Sequence, residues 1–162
     1  VALCAEPDHA GWLRELQVYH LTGTKDEDDV ARAYESAGVR AVVRAFEPDM
    51  GQAWAAADLA VSRAGAGSVA EAWVNCVPCL FLPYPFHKDE HQKFNAQPVV
   101  NLGGGVLERD RIAPGNNLDS IGPVLRDLAT DPARLDAMRR AMRDHPMGDG
   151  ADAVAAWLRE RL

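Results

Sequence analysis

From Leu16 to Arg109, short apolar runs rich in β-branched residues alternate with longer segments of helical period. This alternation constrains the fold most, because strands joined through helices run parallel and need cover on both faces. Leu16–Leu21 (LQVYHL) stops at Thr22-Gly23 and reads as a strand. The segment DEDDVARAYESAG has acids in its first turn and Gly38 behind its last, as a helix should. Val39–Phe46 is a second strand, and Asp49 is the expected N-cap of a short helix through DMGQAWAAAD. Leu59–Ser62, Cys79–Pro85 and Gly104–Arg109 are further strands. Helices are expected over SVAEAWVN and over EHQKFNAQPVVNLG, the latter kinked or shortened near Pro98.

Outside this region the pattern is helical. Val1–Leu13 reads as a helix, with Pro7 and Gly11 working against its end. Asn117–Thr130, Pro132–Asp144 and Ala151–Leu162 read as three consecutive helices. The fold class is therefore α/β, a parallel sheet flanked by helices, in one domain over residues 1–162. Ligands of such sheets bind beyond the carboxyl ends of the strands. That rule gathers FEPDM, SRAGAGS and PYPFHKDEHQ along one edge.

The net charge of −7 argues against a nucleic-acid partner, which needs a basic face. It leaves room for a small anion, since backbone N–H groups alone can hold a phosphate. No apolar run approaches the roughly 18 residues that cross a bilayer. Three cysteines are too few and odd for a disulfide framework, which favours a reducing compartment.

Four motifs carry candidate chemistry. In AGAGSVAE, small residues lead from a strand into a helix whose first N–H groups face outward. Ser68-Val69-Ala70-Glu71 also fits a capping box, in which both side chains merely satisfy the helix terminus. His87 to His91 spells the inverted zinc-peptidase pattern H-x-x-E-H. A helix starting near Asp89 would make those histidines diverge, so no metal is expected, and His91, Gln92 and Asn95 would instead offer hydrogen bonds to a cleft. Cys76-Val77-Pro78-Cys79 follows a helix instead of starting one, which suits two buried residues better than a redox site. Trp12, Trp54, Trp73 and Trp157 sit in helical patterns and read as core or interface.

Together HLTG (His20–Gly23), FEPDM (Phe46–Met50), ADLAVSRAGAGSVAE (Ala57–Glu71) and VPCLFLPYPFHKDEHQKFNA (Val77–Ala96) resemble the C-terminal half of the MurG family. GGGVLE (Gly103–Glu108) extends the likeness more weakly. These are GT-B glycosyltransferases that add N-acetylglucosamine to lipid I in peptidoglycan synthesis, with two Rossmann-like domains around the active site. The resemblance implies that this chain is the domain binding the donor, UDP-N-acetylglucosamine. It implies that Ala66, Gly67 and Ser68 offer backbone N–H groups to the donor, and that Glu71 holds the ribose hydroxyls. Glu47 would meet uracil through its backbone, and His91 and Gln92 would bond the sugar hydroxyls. His91 and Leu21 stand where the family often has glutamine, and AWVNC is less rich in alanine and glycine than usual.

The resemblance further implies a chain that lacks the strand opening the donor domain and the whole acceptor domain. The start VALCAEPDHAGWL, with no Met, reads as a fragment. The catalytic base and the contacts to lipid I and the membrane would lie in the acceptor domain. The full-length protein would be cytoplasmic and peripheral on the inner face of the cell membrane. No cofactor or metal is expected. A standalone donor subunit of a split transferase, or a non-catalytic nucleotide-sugar-binding module, would fit the same residues.

Overall fold

A computed structural model describes residues 2–6, 11–86 and 89–161. A short helix α1 (Ala2–Ala5) and helical residues 11–13 precede strand β1 (Gln17–Leu21). Then come α2 (Glu27–Ala37), β2 (Arg40–Arg44), α3 (Met50–Ala56), β3 (Ala60–Ser62), α4 (Ala66–Val74), β4 (Cys79–Phe81), α5 (His91–Asn101) and β5 (Gly105–Leu107). Three helices close the chain: α6 (Pro114–Ala129), α7 (Pro132–Asp144) and α8 (Gly150–Arg159). The expected order is observed, with strands one to four residues shorter at their ends. Pro98 lies inside α5 without dividing it. The expected helix over Val1–Leu13 lies partly outside the described residues.

The strands are parallel, as expected, and form two sheets among the described residues instead of one. β1 pairs with β2 in the register Gln17↔Arg40 to Leu21↔Arg44. β4 lies between β3 and β5, with Ala60↔Cys79 and Cys79↔Gly105 in register. Among the described residues no strand pairing joins the two sheets.

Side-chain alternation sets the layers. On β4, Cys79 and Phe81 face one way, into a cluster with Trp54, Val69, Ala72, Ala96, Val99 and Met142. Leu80 faces the other way, against Ile121 and Leu128 of α6 and Leu135 and Met138 of α7. The three-stranded sheet is thus covered on both faces. β1 and β2 are covered on one: Val18, Ala41 and Val43 pack with Val30 and Tyr34 of α2. Tyr19, Leu21 and Val42, one residue out of phase, remain exposed. The expectation of cover on both faces holds for one sheet only.

Local signals explain several element ends. Gly38 takes φ 68° at the end of α2, and its N–H and that of Val39 cap the carbonyls of Glu35 and Tyr34. Asp49 caps α3 as expected, accepting the Gln52 N–H at 3.4 Å. Gly105 is needed where β5 crosses Phe81, since a Cβ there would lie 2.8 Å from Phe81 Cε2.

Candidate functional site

The carboxyl ends of β2, β3 and β4 lead into α3, α4 and α5 respectively, and every expected site residue lies on one of these connections or in the first two turns of α4 or α5. At the end of β3, Gly65 adopts the extended conformation of an N-cap (φ −63°, ψ 148°) and α4 begins at Ala66. Val69 is the first residue of this helix whose N–H reaches a carbonyl, Gly65 O at 3.0 Å. The N–H groups of Ala66, Gly67 and Ser68 are thus the orphan donors of the helix start, carrying its partial positive charge. A Cβ added at Gly65 or Gly67 would meet nothing within 4 Å, so the space before them is open.

This start corrects the capping box. Ser68 stands in the first turn, not at the cap, and no side chain caps α4. Gly65 is extended, and Ala66 and Gly67 carry the helix two residues ahead of the serine. Glu71 consequently does not fold back on the terminus. Its Oε2 accepts the indole N–H of Trp54 at 2.8 Å, across to α3.

On the α5 side, Gln92 Oε1 accepts the Tyr84 N–H at 2.8 Å, which leaves the Gln92 amide nitrogen to donate elsewhere. Asn95 Nδ2 donates to Ala64 O at 3.1 Å, tying α5 to the connection before α4. The N-cap of α5 is Glu90, in the left-handed region at φ 49°, and not Asp89 as expected. Asp89 instead accepts from His91, whose Nδ1 lies 2.8 Å away. That bond holds the Asp89 carboxyl below its ordinary range. His87, the first residue of the zinc-peptidase pattern, lies outside the described residues. Among the described residues, no group of three His, Cys, Asp or Glu side chains is disposed to hold a metal.

At the end of β2, the Glu47 carboxylate accepts the Tyr19 hydroxyl and, at 2.8 Å, the Asp49 N–H. These bonds lower the Glu47 carboxyl from its ordinary range, the Tyr19 bond most. The Glu47 side chain is thus engaged by β1 and by its own loop. Among the described residues no hydrogen bond joins the Glu47 side chain to α4. α3 links the two, starting beside Glu47 and carrying Trp54 to Glu71.

Sequence reasoning missed two contributors. Trp54, expected in the core or an interface, packs in the core, and its N–H also reaches Glu71. Arg63, next to β3, donates to Leu82 O at 3.0 Å and pairs with Asp110 at 2.7 Å. It also lies over the Tyr84 ring at 5.8 Å. Cys79 is fully buried and its thiol is pushed up to about 12 by desolvation, whereas Cys76 is half-buried.

Chemically, free helical N–H groups suit a phosphate, and a fixed carboxylate one turn further suits vicinal hydroxyls. The family model described as "Glycosyltransferase family 28 C-terminal domain" matches residues 1–154. The chain belongs to this glycosyltransferase family. A relative from Geobacter sulfurreducens is 39% identical over 139 residues, 86% of this chain and 37% of its own length. One from Geobacter sp. is 36% identical over 152 residues, 94% of this chain and 40% of its own length. Both are named UDP-N-acetylglucosamine–N-acetylmuramyl-(pentapeptide) pyrophosphoryl-undecaprenol N-acetylglucosamine transferase. The chain thus spans about two fifths of the curated relatives it matches. A crystal structure of Acinetobacter baumannii MurG superposes with a TM-score of 0.74 at 23% identity, over 98% of this chain and 48% of that one. This likeness supports the Rossmann-like C-terminal half of a GT-B fold for the family 28 chain.

Proposed function

We propose that this chain is the donor-binding part of a transferase that moves N-acetylglucosamine from UDP-N-acetylglucosamine to a lipid-linked muramoyl-pentapeptide. The observation that carries the reading is the start of α4. Three unpaired N–H groups stand ahead of Glu71, whose carboxylate is held by Trp54. The names of the relatives support the choice of sugar and acceptor.

In this reading Ala66, Gly67 and Ser68 meet the diphosphate and sugar, Glu71 the ribose hydroxyls, and the Glu47 backbone the uracil. His91 and Gln92 bond the hydroxyls of the sugar. An acceptor hydroxyl attacks the anomeric carbon, a new C–O bond forms, the bond to the diphosphate breaks and UDP leaves. This chain's share is electrostatic: helical N–H groups stabilise the charge that grows on the departing diphosphate. No metal is required, and the base that takes the acceptor's proton lies outside this chain. No helix among the described residues is long and apolar enough to cross a membrane. The full-length enzyme works at the cytoplasmic face of the membrane, held there by parts other than this domain.

Expressed from its full reading frame, the protein should transfer labelled N-acetylglucosamine to lipid I. Tight donor binding without any transfer would overturn the catalytic reading in favour of a nucleotide-sugar-binding module.

A further inference from the structure

The indole of Trp54 is buried, 7% exposed, between α3 and α4, among Val69, Ala72 and Val77. A buried indole N–H needs an acceptor. It finds Glu71 Oε2 at 2.8 Å. The two residues differ sharply in freedom. Trp54 is locked by packing, while Glu71 is an exposed side chain with three rotatable bonds. The bond therefore transfers the order of the core to a surface carboxylate. Oε1 of Glu71 has no hydrogen-bond partner among the described residues, and Oε2 keeps a second lone pair. A carboxylate so presented accepts two neighbouring hydroxyls without first losing rotamer freedom.

We infer that Trp54 is a positioning residue. By holding Glu71 it makes the site select nucleotides with two free ribose hydroxyls over those without them. The inference rests on the donor-binding reading, in which Glu71 faces a ribose. It adds a residue that touches no ligand yet sets which sugar the nucleotide carries. α3 has a second link to the same nucleoside, because its Asp49 cap is hydrogen-bonded to Glu47.

Titration calorimetry with UDP and with 2′,3′-dideoxy-UDP tests this on the wild-type chain and on Trp54→Phe. Phenylalanine keeps most of the packing and loses the N–H. UDP should bind the variant about tenfold more weakly, the scale of one lost hydrogen bond to a charged group. Binding of 2′,3′-dideoxy-UDP should not change, because it has no diol for Glu71 to hold. On a Glu71→Ala background, which has no acceptor for the indole, the Trp54→Phe change should cost UDP much less. In the wild-type chain the Trp54 indole N–H resonance should move on adding UDP and stay still with the dideoxy analogue, a readout that needs no variant to fold. Equal weakening of both ligands would reduce Trp54 to a packing residue and overturn the inference, as would an indole resonance indifferent to UDP. A wild-type chain that binds neither ligand would remove the donor-binding reading itself.

Discussion

The Arg63 guanidinium meets the Asp110 carboxylate at 2.7 Å, joining the end of β3 to the segment after β5. The same guanidinium donates to Leu82 O at 3.0 Å and Pro83 O at 3.4 Å, so it also holds the end of β4. Asp110 is 8% exposed and accepts from Asn117 Nδ2 and the Ile112 N–H, each at 2.8 Å. One cation thus ties together the carboxyl ends of three strands, two of which lead directly into the candidate site. Arg63→Leu should lower stability by about 1–3 kcal/mol, because it leaves a largely buried carboxylate with fewer partners. Chemical denaturation of Arg63→Leu, Asp110→Asn and the double variant measures the coupling. Additive losses would show that the pair holds nothing.

Acid should weaken the chain in two stages. Burial lowers the His20 imidazole below the ordinary histidine value of 6.5, so the folded state favours neutral His20, beside the Tyr34 hydroxyl at 3.0 Å. A depressed histidine contributes stability above pH 6.5 that is lost as pH falls toward its folded value. Hydrogen bonds from Asn117 and Ile112, together with Arg63, lower the Asp110 carboxyl from 3.8. Its contribution is complete above that value and disappears only below it. Denaturation midpoints followed downward from neutral pH should fall first below pH 6.5 and again below pH 3.8. His20→Gln should flatten the first fall and leave the second.

Gly105 is predicted to be intolerant of alanine. A methyl there would sit 2.8 Å from Phe81 Cε2 and 3.2 Å from the Cys79 carbonyl, and the latter is backbone that cannot swing away. Gly105→Ala should cost about 1–3 kcal/mol, the range for overpacking a tight core. Thermal unfolding checks this, with Gly115→Ala, whose added methyl meets nothing within 4 Å, as the control.

The cysteines should react unequally. Cys79 is fully buried with its thiol pushed up to about 12, so it presents no thiolate to an alkylating agent at neutral pH. Cys4 and Cys76 are half-buried. Peptide mapping after brief iodoacetamide treatment should find Cys4 and Cys76 labelled and Cys79 intact until the chain unfolds.

Strand and helix order was legible because each element carries its own period and its own ends, as Gly38 and Asp49 illustrate. The start of α4 was half legible. The small residues marked the loop, but S-x-x-E is a local pattern, and Gly65 in an extended conformation began the helix earlier. Links across the fold were not legible. Trp54 and Glu71 lie 17 residues apart on different helices, and no periodicity within either helix shows that they meet. The exposed Tyr19, Leu21 and Val42 were equally hidden, since an apolar strand reads the same whether one face is covered or both.

The central claim is that the start of α4 and Glu71 form a UDP-sugar site. Titration calorimetry of UDP-N-acetylglucosamine against the wild-type chain and Glu71→Ala tests it most directly. Saturable binding to the wild type, weakened about tenfold or more in Glu71→Ala, is the predicted result. Absence of binding to the wild type, or equal binding to both, would contradict it.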